Sequence, residues 1–494
     1  MTPQELRNSI LQLAIQGRLV EQRPEEGTGE ELYQQIQWEK QALIKAGKIR
    51  KEKPLPKITE EEIPFEIPEG WGWCRLSSVV LINPKNNVPD NVDAGFVPMP
   101  CVMDGYRNEH TFELKKWKEI KRGYTHFAND DIGFAKITPC FQNRKSVIFR
   151  SLPNGIGAGS TELVIIRVIR DLLCREYILW FLKSGYFISN GVKSFTGTAG
   201  QQRIHKDYLS KCVFPLPPLA EQKRIVAKIE ELMPLIDRYE EAWTKLEEFN
   251  KRFPDDMQKS LLQLAIKGGL VPQDASEGTG EELYRQIQRE KQALIKAGTI
   301  RKEKPLLEIT EEEIPFEIPE GWKWVRLGDC STYAQTKIKI SPDAVTPDMW
   351  SLDLEDIEKE SGRIIRYCKA SERKISGDKV CFFRGQMLYS KLRPYLKKIL
   401  VAPDDGICSS ELVPFSMYGD IEPTYIAYVL RSPHIDFVIN SATYGVKMPR
   451  VGTDTMTNLL IPLPPLAEQK RIVAKLEELL PLCDRLKQPN SARS

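Results

Sequence analysis

Apolar residues at Ile225, Ile229, Leu232, Ile236, Tyr239, Trp243 and Leu246 recur in alternating steps of four and three. That spacing predicts a helix with a heptad seam, and the charged residues between predict a coiled-coil partner rather than a simple core face. Pro234 interrupts the seam and is expected to kink the helix or start a new segment. Pro254 is expected to open a further helix ending at Gly268-Gly269. Together these pieces predict one helical region from about Leu219 to Lys267. "GEELYQQIQWEKQALIKAG", from Gly29, reads as another helix, capped by Gly47. It leads into "KIRKEKPLPKITEEEIPFEIPEGW", a Pro- and charge-rich connector with little core potential, whose KIRKEK run reads as a solvated face. Elsewhere the period shortens. "SVIFR", "TELVIIRVI", "KVCFF" and "KILVAP" predict strands, while "CREYILWFLKSGYFISNG" and "PTYIAYVLRSPHIDFVI" each predict one amphipathic helix.

These patterns repeat. "PLPPLAEQKRIVAK" occurs from Pro215 and again, letter for letter, from Pro462. Ser9 to Leu76 recurs without a gap from Ser260 to Leu327, mostly identical. The stretches between align weakly, though "STELV" parallels "SSELV", "GFAKITPCFQNRKSVI" parallels "LYSKLRPYLKKILV", and "GQQRIHKDYL" parallels "KMPRVGTDTM". The chain is therefore a tandem duplication of a near-constant frame carrying two divergent inserts. Its order is a helix in 1–28, helix and connector in 29–76, a first insert in 77–212 and central helices in 213–268. A repeat of 18–76 follows in 269–327, then a second insert in 328–459 and a last helix in 460–494. The expected fold class is α+β: two mixed α/β domains joined by long antiparallel coiled-coil helices, with pseudo-two-fold symmetry.

Composition narrows the function. At 494 residues the chain exceeds one core, and with 41% apolar and 28% charged residues it is that of a globular protein. No apolar run approaches a membrane span, and the N-terminus lacks signal-peptide character, so a cytoplasmic protein without membrane contact is expected. Ten cysteines without a C-x-x-C pair, and four scattered histidines, argue for reduced thiols and against structural zinc. Phosphate-loop, H-E-x-x-H, G-x-S-x-G and N-P-P-Y signatures are absent. Asp90 with Glu113 is too loose a pair to read as a nuclease site, and the second insert offers no counterpart. The overall charge of +3 predicts no general affinity for nucleic acid. The first insert nevertheless carries a surplus of about seven positive charges, as phosphate-binding domains often do, while the second is near neutral. Basic residues interleave with aromatic ones at Lys115, Lys116, Trp117, Lys118, Lys121 and Arg122. Lys136, Arg144, Lys145, Gln202 and Arg203 follow in the first insert. The second insert carries Lys391, Arg393, Tyr395, Lys398, Lys447 and Arg450. Arg, Lys, Gln and Asn are the side chains suited to base edges.

The sequence resembles the specificity subunit of type I restriction–modification systems. "IPEGWGWCRL" and "IPEGWKWVRLGD" before the inserts carry the resemblance, with "PLPPLAEQKRIVAK" after them, "LLQLAIKGGLV" and "LYSKLRPYL". The resemblance covers essentially the whole chain. It implies that each insert is a target recognition domain reading one half of a split, asymmetric site on double-stranded DNA. It implies that the constant helices fix the spacer and dock two modification subunits. Those subunits would carry S-adenosylmethionine and methylate adenine, and restriction subunits using ATP and magnesium would join them in some systems. No cofactor is expected in this chain. The eleven residues from Lys136 to Arg450 named above are the DNA-contact candidates. Ile225 through Leu246, with Ile472, Leu476 and Leu479, are the coiled-coil and docking candidates. "KITPCF" departs from "KLRPYL" by placing Thr138 where Arg393 stands, with Arg144 expected to supply the basic group instead. A coiled-coil scaffold with protein-binding inserts and an undetected DNA-modifying enzyme are the rival readings.

Overall fold

The computed structural model describes every residue except 52–53, 199, 206, 303, 334, 336 and 488–494. The end of the KIRKEK run and the last seven residues of the 460–494 segment therefore lie outside the described residues. The chain forms two compact units, Met1–Leu246 and Glu247–Ser494.

One helix of 48 residues, Leu219–Ile266, belongs to both units. It runs through Pro234 and Pro254 without a new segment, so neither proline starts the separate helix its sequence suggested. Each proline removes one N–H bond, and burial of Met233, Ile236 and Pro254 around them holds the turns in place. In the first unit the N-terminal helix Pro3–Ile15 runs antiparallel to this central helix. Gln22 bonds Glu221 near one end, and Arg7 pairs with Asp237 and Glu240 near the other. In the second unit the C-terminal helix Leu466–Lys487 does the same, with Gln273 on Glu468, Gln258 on Asp484 and Lys487 on Asp255.

The repeated "AEQKR" owes its constancy to internal bonds. Glu221, almost fully buried, accepts the Trp71 indole N–H at 2.9 Å and the Gln22 amide at 2.6 Å. Gln222 accepts from the Cys174 backbone and donates to the Pro217 carbonyl, while Arg224 forks onto Glu26. Glu468, Gln469 and Arg471 repeat this with Trp322, Gln273, Glu422, Pro464 and Glu277. Burial pushes both glutamate carboxyls up from their ordinary value.

Helices Gly29–Lys45 and Gly280–Lys296 start at capping boxes made by Thr28 with Glu31 and Thr279 with Glu282. A Cβ on Gly29 would lie 2.0 Å from the Leu216 carbonyl oxygen, so only glycine lets the helix end meet the strand beside it. That strand, Val213–Leu216, leaves the first insert and pairs antiparallel with the incoming strand Gly72–Arg75, Trp73 opposite Pro215. Lys323–Arg326 and Leu460–Leu463 close the second insert in the same way. Each insert thus starts and ends at one two-stranded ladder.

The connector packs more than its composition suggested. Phe65 meets the rings of Trp73 and Tyr186 at 5.2 and 5.6 Å, and Ile67 joins the same core. Arg75 forks onto Glu62 and donates to the carbonyls of Pro56 and Lys211. The Arg75 guanidinium, with the Thr59 backbone N–H, holds the Glu62 carboxyl down at about 2 against an ordinary 4.5. The folded form thus releases this proton more readily than the unfolded chain. The clamp's contribution is complete above the ordinary value and fades as pH falls towards about 2. Acidification through that window is expected to speed proteolysis within residues 54–70, and Arg75→Met to produce the same cleavage at neutral pH.

The first insert holds two four-stranded sheets. One orders Val80–Ile82, Leu163–Val168, Ile132–Ala135 and Ser146–Ile148; the other orders Glu113–Lys116, Asp93–Val97, Ile156–Gly159 and Thr125–Ala128. The second insert has a three-stranded sheet around Met387–Ser390 and a four-stranded sheet around Lys379–Phe382 and Gly406–Cys408. All four predicted strands are present. Each predicted single helix is instead a pair: Arg175–Lys183 with Gly185–Lys193, and Pro423–Arg431 with Pro433–Ser441. Ser184 and Ser432 break them in extended backbone, the first capping the Phe187 N–H and the second barred from helix by Pro433.

Candidate nucleic-acid interface

The two inserts share one constellation. In the first, the strand Ile132–Ala135 delivers Lys136, whose N–H bonds the Glu162 carbonyl and whose carbonyl accepts the Ile204 N–H. In the second, Lys391 makes the same two bonds with Glu411 and Val451. Thr138 N–H donates to the Gln202 carbonyl, as Arg393 N–H does to that of Pro449. Arg203 forks onto Glu162 at 2.8 to 3.1 Å, and Arg450 onto Glu411 at 3.0 to 3.2 Å. These hydrogen bonds hold both carboxyls below their ordinary value. An Arg–Glu clamp thus pins the base of one loop in each insert to the start of the strand beside the lysine's own, Leu163–Val168 or Leu412–Phe415.

The loop tips differ. The first runs through Gly197 and Gly200, both at positive φ, to exposed Gln201. The second exposes Tyr444 and Val446 at 60% and 101%, with exposed Lys447 beside them. Arg393, exposed and left-handed at φ 49°, lies against the base of the second loop, with Tyr395 exposed nearby. Like charges crowd here. Burial, then Lys391 and Lys339, lowers the Lys337 ammonium from its ordinary value. A polyanion on this face would relieve that repulsion.

Of the sequence candidates, Lys136, Gln202 and Arg203 come together, as do Lys391, Arg393 and Arg450, with exposed Lys447 on the same loop. Three others bond internal acceptors. Arg144 donates to the Lys183 carbonyl and to Asn8, Lys145 to the carbonyls of Met99 and Val102, and Lys398 to that of Leu354. Arg144 therefore spends its guanidinium on the Lys183 carbonyl and Asn8. Lys115, Lys116 and Lys121 pair with Glu113, Asp93 and Asp90, which neutralises much of that run. Among the described residues no group of three His, Cys, Asp or Glu could hold a metal. Sequence reasoning passed over Glu162, Glu411, Lys337 and Lys339. The glutamates stand in the matched "TELV" and "SELV", which was signal enough.

The heptad seam divides. Ile225, Ile229 and Ile236 are buried in the first unit's core with Leu232 against it, and Ile472 and Leu476 in the second's with Leu479 against it. They hold each unit together from within. Tyr239 and Leu246 are exposed, at 37% and 52%, and Trp243 is half-buried.

A sequence profile described as "Type I restriction modification DNA specificity domain" matches residues 82–247 and 356–491. The type I restriction enzyme EcoAI specificity subunit of Escherichia coli is 36% identical, across 98% of this chain and 90% of its own length. The EcoEI specificity subunit of the same organism is 34% identical over the same shares. The crystal structure of the HsdS subunit from Thermoanaerobacter tengcongensis superposes with a TM-score of 0.50 at 19% identity, covering 87% of this chain and 94% of that one. No helix of the described residues is long and apolar enough to cross a membrane.

Proposed function

Because the chain belongs to the specificity subunits of type I restriction–modification systems, which recognise DNA sequence, we propose that each insert reads one half of a bipartite, asymmetric site. The observation that carries this is the pair of matching clamps bearing unlike loop tips. The same base presents different side chains, as two different half-sites require. Lys136, Lys391 and Arg393 meet the backbone or base edges beside the tips, with Gln202 and Lys447, while Arg203 and Arg450 act through their glutamates. Two modification subunits dock on the helical frame and methylate adenine in the cytoplasm. They hold S-adenosylmethionine, and restriction subunits hold ATP and magnesium in systems that have them. The central helix sets the spacer between half-sites.

Two experiments test this. Seven residues inserted after Leu246 add ~10 Å of helix, equivalent to roughly three base pairs. Mapping methylated adenines is expected to show a longer spacer between unchanged half-sites; unchanged spacing overturns the ruler. Glu411→Gln unpairs Arg450 and is expected to cut discrimination against non-specific DNA about tenfold. Exchanging the partners, Glu411→Arg with Arg450→Glu, is expected to restore it. Competition binding with the assembled complex reads both, and failure of the exchange would make Arg450 a direct DNA contact. Methyl transfer by this chain alone would favour the enzyme reading.

A further inference from the structure

The two frames differ at one place where the second unit shows what the first can hold. In the second, the Lys323 ammonium sits 2.7 Å from Glu281 Oε2 and 5.2 Å from the centre of the Tyr284 ring. Arg285 takes the other oxygen, Oε1. Lys323 thereby holds the Glu281 carboxyl below its ordinary value, and Trp324 beside it is buried. In the first unit the corresponding residue is Gly72, and a cleft of about 290 Å³ opens there. Glu30, Tyr33, Pro56, Lys57, Gly72 and Trp73 line it. Gln34 takes Glu30 Oε1 at 2.7 Å, as Arg285 does in the other copy. Glu30 Oε2 has no partner among the described residues, and Trp73 is only half-buried. Gly72 is not at positive φ, and a Cβ built on it meets nothing closer than 3.7 Å. A side chain could therefore grow from this position, and none does.

We propose that this cleft binds a primary ammonium on an alkyl stem, in the place that Lys323 fills in the second unit. The carboxylate supplies the ion pair, the Tyr33 face a cation–π contact and Trp73 an apolar wall for the stem. Arg75 on the floor is committed to Glu62, which leaves Lys57 at the rim as the only competing charge among the lining residues. The ligand is cationic, so nucleic acid is excluded. A lysine of a partner protein and a free polyamine share the required chemistry. The second unit's copy is already filled, so such a ligand binds once per chain although the frame is present twice.

The probe is n-butylammonium, followed by saturation-transfer NMR on the full chain, with n-butanol as its neutral counterpart. Binding to the wild type is expected, with about tenfold weaker binding in Glu30→Gln and none in Gly72→Lys. Gly72→Lys reproduces residue 323, so it is expected to fold with an unchanged or raised Tm, which keeps its loss of binding interpretable. Equal signals in wild type and Gly72→Lys, or equal binding of n-butanol, overturn the proposal. Carbodiimide treatment of the complex with its modification subunits then separates the sources. An amide between Glu30 and a partner lysine identifies a protein ligand. A wild-type chain that binds n-butylammonium, gives no such amide and takes up putrescine identifies a polyamine.

Discussion

Replacing residues 77–212 with the corresponding insert of another specificity subunit will change one half of the recognised DNA sequence and leave the other half intact. The structural basis is the ladder that closes the insert. Incoming Gly72–Arg75 and outgoing Val213–Leu216 lie side by side, so both chain ends of a new insert meet a fixed pair of frame strands. Trp71, Glu221 and Arg224 keep their bonds within the frame whatever the insert. Specific binding by such proteins commonly exceeds non-specific binding by ~10³ to 10⁷, and the share of that ratio carried by the first half-site is expected to transfer to the new one. Methylation mapping of genomic DNA reads both halves at once. A change in both halves, or in neither, would overturn independent reading.

The second large effect is on stability. Lys183 is fully buried, and its ammonium donates to the carbonyls of Gly105, Arg144 and Ser146. It ties the helix pair of the first insert to two loops and a strand, and Arg431 occupies the matching place in the second, donating to the Ile399 carbonyl. Lys183→Met is expected to cost about 3 kcal/mol, because three carbonyls lose a buried donor. Lys183→Arg, imitating the second insert, is expected to cost less. Burial, with the Arg144 charge beside it, lowers the Lys183 ammonium to about 7 from 10.5. Between those values the unfolded chain holds a proton that the folded chain has released. Stability from this group therefore rises as pH climbs through the window, and is flat below about 7, where both forms are charged. Denaturant titrations across pH, with hydrogen exchange at residues 132–148 to report the first unit, check both the loss and the missing slope in Lys183→Met.

The duplication, the long central helix and the strands were legible because repetition and period are properties of the sequence itself. The helix breaks at Ser184 and Ser432 were not, since apolar spacing continues across them while one serine caps and the other precedes proline. The prolines misled for the opposite reason: tertiary burial carried the helix past Pro234 and Pro254. The site was half legible. Basic residues in matched motifs marked the two loops that the Arg–Glu clamps hold, but net charge says nothing about partners. Arg144, Lys145 and Lys398 bond carbonyls distant in sequence, and Arg203 and Arg450 answer to glutamates about forty residues away. Nothing in the constant "AEQKR" itself says that its Glu, Gln and Arg are held inside, because their partners stand far off in the chain.

The bond between Trp71 and Glu221 spans 150 residues of chain, and that between Arg7 and Glu240 spans 233. At ~5–20 residues per second of synthesis, Trp71 waits roughly 8–30 s for its glutamate. By the end of that interval the frame's first helices and the first insert have been made, while the helix that closes the unit has not. The frame of each unit is thus the last part to close, and a chain halted between Leu216 and Glu221 would present a complete first insert without the helix that closes its unit.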